Sequence, residues 1–157
     1  MTTFTLKVAS NLPVPLPNLW QKVSTMEGVN HELAPFIHMT SPAAMRRIPF
    51  TQAPLKQPLF ASWLLLFGML PFDRHQLRLD EAWEGGFREN SSSLIQRVWR
   101  HERIITANGT GSTLTDTLNF EPRISLLGYI ILPVVRFVFQ HRHRRLKQLF
   151  AAWTGEN

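Results

Sequence analysis

Acidic, basic and imidazole side chains recur at every second position in several stretches between residues 75 and 120. On an extended chain that spacing puts them on one face, because successive side chains point to opposite sides of a sheet. Along residues 94–107, one face carries Ile95, Arg97, Trp99, His101, Arg103 and Ile105, and the other Gln96, Val98, Arg100, Glu102 and Ile104. The face holding Trp99 is assigned inward; a slip of one residue would reverse it. Leu114, Asp116, Leu118 and Phe120 form an apolar row with one acid in it. His75, Leu77, Leu79, Glu81 and Trp83 form a second such row, and Phe87, Glu89 and Ser91 a third. The inward polar set is then Glu81, Glu89 and Asp116 against Arg97 and Arg103, with His75 and His101. Buried charges are tolerated when they are paired and hydrogen-bonded. Such a set can anchor the polar group of a ligand in an apolar pocket. It can also move a carboxyl beside an imidazole toward neutrality for general acid–base work. The plainer reading is a set of ion pairs near the sheet rim that only hold strands together.

Other spacings carry less chemistry. His141 and His143 are two apart on a helical stretch, about 200° around its axis, and cannot chelate one metal together. His31, Glu32 and His38 lack an HExxH spacing, and Ser91-Ser92-Ser93 lacks the GxSxG setting of a nucleophile. Neither a GxGxxG nor a phosphate-binding loop occurs, so no nucleotide cofactor is indicated. With no Cys there is no disulfide, thiolate zinc site, iron–sulfur cluster or thiol nucleophile. No metal, cofactor or catalytic residue is assigned on these grounds.

The elements that must position the polar rows follow from periodicity. Phe4, Leu6 and Val8 alternate with polar neighbours as a half-buried strand. Leu12–Pro17 excludes helix interior, and Pro17 suits the start of a short helix to about Thr25. Gly28 is read as its break, and Asn30 as the cap of a second short helix, His31–Ala34. Arg46–Thr51 reads as a strand, while Leu59–Leu70 fits either a buried strand or a short apolar helix. The run Leu59–Phe72 is assigned to the core, with an exposed flap at a cavity mouth as the alternative. From Arg74 the pattern is strand-like: Arg74–Trp83, Phe87–Ser93, Leu94–Ala107, a hairpin turn at Asn108-Gly109, and Ser112–Phe120. The tail reads as a long helix over about Pro133–Trp153, burying Phe139, Leu146, Phe150 and Trp153.

The 157 residues, 44% of them hydrophobic with 5 Trp and 11 Phe, suit one domain over 1–157 and exclude a disordered chain. Neither a signal-peptide h-region nor an apolar stretch long enough to span a bilayer is visible, so a cytoplasmic chain is expected. The charge is uneven. Residues 1–121 carry 11 Lys+Arg and 10 Asp+Glu, whereas 122–157 carry 6 Lys+Arg and only Glu156. Most of that excess lies in Arg136–Lys147 and is read as a solvated helix end. Arg142 and Arg145 share one side of it, Arg144 and Lys147 another.

The order of elements is a strand, two short helices, a run of antiparallel strands and one long terminal helix. A curved sheet needs its concave face covered, and only that last helix is long enough. The class is therefore α+β, a helix-grip fold of about six to seven strands. Leu19–Glu32, Leu64–His75, Trp99–Ile104 with Thr113–Pro122, and Phe139–Leu146 carry a resemblance to the START/Bet v 1-like superfamily, also called SRPBCC or polyketide cyclase/dehydrase-like. The resemblance covers nearly the whole chain. It implies a deep cavity between sheet and last helix, which composition alone does not show.

On this reading the chain binds a hydrophobic or amphipathic small molecule, with Trp99, His101, Arg103, Asp116, Leu118, Leu77, Trp83, Glu89 and Phe139 lining the pocket. A cyclase/dehydrase-type enzyme using His101 or Asp116 as general acid or base is the alternative. A third reading is an RNA-, ribosome- or membrane-interacting protein that uses the basic helix. The expected state is monomer or homodimer, without a transmembrane span.

Overall fold

Alternation in Phe4–Leu12 produces strand β1, whose Phe4, Leu6, Ser10 and Leu12 point inward. The computed structural model describes residues 2–155; Met1, Glu156 and Asn157, the ends of the domain expected over 1–157, lie outside them. Helices α1 (Leu16–Val23) and α2 (Met26–Leu33) follow β1. The strands are β2 (Ile37–Met39), β3 (Pro58–Leu66), β4 (Leu70–Trp83), β5 (Gly86–Ser93), β6 (Gln96–Asn108) and β7 (Gly111–Pro122). They form one seven-stranded sheet in the order β1-β7-β6-β5-β4-β3-β2, with every neighbouring pair antiparallel. The long helix α3 (Gly128–Leu149) lays Val135, Phe139 and Leu146 on the concave face. This is the helix-grip arrangement.

Several local expectations are corrected. The second short helix is Met26–Leu33, not His31–Ala34, and its cap is Thr25, whose hydroxyl accepts the Gly28 N–H at 3.1 Å. Gly28 does not break a helix. It sits inside α2 because a Cβ there would lie 2.0 Å from the Lys22 carbonyl oxygen. Arg46–Thr51 is not a strand: it follows one 3₁₀ turn, Ala43–Met45, and runs into a second, Phe50–Gln52. Helix α3 begins five residues before Pro133, at Gly128, where the Phe4 ring fills the space of a Cβ. Phe150 is buried just past its end, and Trp153 is half-buried.

The apolar run 59–72 is strand, not helix, and its far end is not core. Trp63, Leu66, Phe67, Met69, Leu70 and Phe72 are exposed at the β3–β4 hairpin. Two of the four irregularities in the ladder re-aim side chains of the inward rows, as bulges do. One lies between Leu79 and Glu81 on β4, the other between Gln96 and Val98 on β6. Among the described residues, no helix is long and apolar enough to cross a membrane.

Candidate functional site

The inward rows of β4, β5, β6 and β7 meet α2 and α3 in one buried polar network. Asp116 on β7 lies at its centre. Its Oδ1 accepts from Arg103 Nε and His101 Nε2, both at 2.7 Å. Its Oδ2 accepts from Arg103 Nη2 at 2.8 Å and His143 Nε2 at 2.7 Å. Ser10 of β1 is 2.8 Å from the other ring nitrogen of His143. Arg103 also donates to Glu32 of α2, with Nη1 3.0 Å from Oε2 and Nη2 2.8 Å from Oε1. Arg142 of α3 reaches Glu32 Oε1 at 3.1 Å. On the other flank, His75 Nε2 donates to Glu89 Oε2 at 2.6 Å, and the Ser91 hydroxyl donates to the same oxygen at 2.7 Å. Glu89 Oε1 lies 3.7 Å from His101 Nδ1, linking the two halves.

Burial alone would push these carboxyl groups up, and their partners reverse it. Burial raises Asp116, but Arg103 and then His101 hold it well below the ordinary carboxylate range. Glu32 is likewise raised by burial and brought lower by Arg103 and Arg142. Glu89 is raised by burial and brought far lower by His75 and His101. Burial depresses the Arg103 guanidinium, and Asp116 with Glu32 drives it up beyond its usual value. Charge pairing therefore outweighs desolvation for the three carboxyl groups and for Arg103.

A cavity of about 330 Å³ opens beside the network, between the sheet, α2 and α3. Its wall is mostly apolar, including Met26, Val29, Leu77, Leu79, Phe87 and Val135. Asp73, His75, Glu89, Gln96, His101 and Arg142 are its polar members.

The residues expected at a pocket separate into two groups. Leu77, Glu89, Trp99, His101 and Phe139 stand on the cavity wall. Arg103 and Asp116 point inward but lie behind the wall, fully engaged with each other and with Glu32, and Leu118 packs with Phe4, Leu6 and Phe120 in a separate apolar cluster. Trp83 is corrected to the outer face: the β4 bulge turns it away, and Arg88 stacks over it at 5.3 Å. The same bulge sends Glu81 outward to pair with Arg88. On β6 the bulge brings Gln96 inward, so Arg97 is not on the wall. The polar set is thus Glu32, Glu89 and Asp116 with Arg103 and Arg142, in place of the set containing Glu81 and Arg97.

Glu32, Arg142 and His143 were not expected in this set. Arg142 and His143 sit within HRHRR, read as a solvated helix end, yet both are buried. Leu146, three residues beyond His143 and four beyond Arg142, marks the buried face they share and was the available signal. His141 instead bonds the Ala34 carbonyl oxygen at 2.7 Å.

A family model described as Domain of unknown function (DUF8410) matches residues 10–150. The chain belongs to this family. None of the curated proteins matches the sequence. Among solved structures, DynU16, from the dynemicin biosynthetic locus, is similar at a TM-score of 0.62 and 14% identity; 94% of this chain is covered, and 47% of DynU16, so the chain spans about half of that protein. A START superfamily protein from Mycobacterium smegmatis aligns with a TM-score of 0.66 and 11% identity over 96% of this chain and 99% of its own. Ara h 8.0201 aligns at 0.58 and 13% identity over 94% and 99%. Likeness at these identities establishes the fold, which is that of the START/Bet v 1-like superfamily.

Proposed function

We propose that the protein binds a hydrophobic or amphipathic small molecule in the cavity between sheet and α3. The observation that carries this reading is a space of about 330 Å³ with an apolar wall and a few polar groups gathered on it. Burying apolar ligand surface there supplies about 25 cal/mol per Å², and the polar groups fix orientation. A domain folded only for its own stability gains nothing from such a space, because unfilled volume forfeits packing. Mass spectrometry of small molecules that copurify after mild extraction tests the reading. A recurring apolar species released on denaturation supports it. A protein that carries none, and that takes up no apolar probe, refutes it.

A second reading, acid–base catalysis of the cyclase/dehydrase kind, is favoured by one arrangement. His75 is on the cavity wall and is oriented by Glu89, which Ser91 holds in turn. An imidazole oriented by a carboxylate is the base of many catalytic sites. Asp116 has no such freedom, since its oxygens are taken by Arg103, His101 and His143. His75 replaces it as the candidate base.

A further inference from the structure

The polar end of the cavity has an excess of acceptors. Asp73 on β4 is buried and stands on the cavity wall. Its Oδ1 accepts the backbone N–H groups of Arg74 at 2.8 Å and Ile95 at 3.2 Å. Among the described residues, Oδ2 accepts no hydrogen bond, and no Lys, Arg or His nitrogen lies within 4.0 Å of the carboxyl group. The next residue after Ile95 is Gln96, which the β6 bulge turns inward onto the same wall. Gln96 is 5% exposed, and its Oε1 is buried without a partner among the described residues.

An unmatched buried carbonyl costs about 1–3 kcal/mol, so Gln96 Oε1 is a burden unless something donates to it, whereas Asp73 Oδ2 is an open acceptor on the same wall. No cationic side chain of the wall lies within 4.0 Å of the Asp73 carboxyl group. Arg142, the one guanidinium there, is committed to Glu32, and His75 Nε2 to Glu89. The wall therefore shows anionic and acceptor groups at this end. Beyond it, Leu77 and Leu79 continue along β4 toward Phe87, Met26 and Val29.

We propose that the ligand is an amphiphile with a cationic, hydrogen-bond-donating head, a protonated primary amine, seated on Asp73 and Gln96 with its apolar chain against Leu77, Leu79 and Phe87. This rests on the cavity being a ligand site. An ammonium group supplies three donors and no acceptor, which matches what Asp73 Oδ2 and Gln96 Oε1 lack. A carboxylate head would meet Asp73 with like charge, and a neutral hydroxyl would forgo the charge-assisted bond.

Calorimetric titration at neutral pH with decan-1-amine, decan-1-ol and decanoate tests the assignment on chains of equal length. The amine should bind about tenfold more tightly than the alcohol, the difference between a charge-assisted and a neutral hydrogen bond, with decanoate weakest. Asp73→Asn and Gln96→Met should each cut the amine-to-alcohol ratio to about threefold or less. If Asp73→Asn does not fold, because it also holds the Ile95 N–H, Gln96→Met carries the test alone. Decanoate binding as tightly as the amine, or a ratio that neither variant moves, overturns the proposal and leaves the cavity reading standing. Failure of all three probes to bind overturns both.

Discussion

Arg103 on β6 and Asp116 on β7 stand opposite each other in the sheet and are joined twice, Nε to Oδ1 at 2.7 Å and Nη2 to Oδ2 at 2.8 Å. Arg103 has 0% of its surface exposed and Asp116 1%. Removing one member of a buried pair leaves an uncompensated charge, which costs about 3–5 kcal/mol. Asp116→Asn also withdraws the charge that His101 and His143 share. Its urea midpoint should fall by an amount corresponding to that range, with an unchanged m-value. A loss under about 1 kcal/mol would mean the pair contributes no more than a surface ion pair.

The same network sets the response to acid. The carboxyl groups of Glu32, Glu89 and Asp116 are all held below their ordinary values of 4.5, 4.5 and 3.8. For a group whose folded value is depressed, the stabilisation is complete above its unfolded value and is lost as pH falls toward the folded one. Urea stability of the wild type should therefore begin to drop below about pH 4.5 and keep falling with further acid. Glu32→Gln, weaker at neutral pH, should show a shallower acid slope because one of the three linked protons is gone. Equal slopes for variant and wild type would show that Glu32 is not part of the linkage.

The basic tail divides by face. Arg142 is buried against Glu32 and over the Phe139 ring at 5.1 Å, whereas Lys147 is exposed one turn on. Arg142→Gln should destabilise by several kcal/mol, about 3–5, while Lys147→Gln should stay within about 0.5 kcal/mol of wild type. Thermal or urea melts of the two single variants suffice. Equal effects would return Arg142 to the solvated face and remove it from the network. Arg144 and Arg145 belong with Lys147 in this respect: Arg144 lies over the partly exposed Phe137 ring at 5.9 Å, and Arg145 bonds the His31 carbonyl oxygen at 3.2 Å near the surface.

How far the site was legible in the sequence follows from which forces placed each residue. Period-two alternation placed His75, Glu89, His101, Arg103 and Asp116 inward, because burial of one sheet face fixes the phase wherever pairing is regular. It failed at Glu81, Trp83, Gln96 and Arg97, each beside a bulge. A bulge is a relation between two strands, and neither strand carries it alone. The position of Gly28 in a helix was illegible for a related reason. The Lys22 carbonyl oxygen that excludes a Cβ is brought there by the packing of α1 on α2. Arg142 and His143 could have been found by asking which element would neutralise inward acids, since the sheet rows alone left that question to α3.

The last prediction concerns His75. Its Nε2–H donates to Glu89 Oε2, and the Ser91 hydroxyl fills a second site on that oxygen, so the carboxylate fixes which ring nitrogen carries the proton. In the neutral ring this leaves Nδ1 as the lone pair on a side chain that stands on the cavity wall. Long-range ¹⁵N–¹H correlation spectra should show the Nε2–H tautomer for His75. Glu89→Gln replaces one acceptor oxygen by an amide that can turn its NH₂ toward the ring, and the tautomer population should then shift toward Nδ1–H. Such a shift would identify Glu89 as the group that orients the imidazole, the condition a proton-transfer role for His75 requires. An Nδ1–H tautomer already dominant in the wild type would remove the lone pair from that position. The acid–base reading would go with it, while apolar ligand binding, which does not depend on that lone pair, would be untouched.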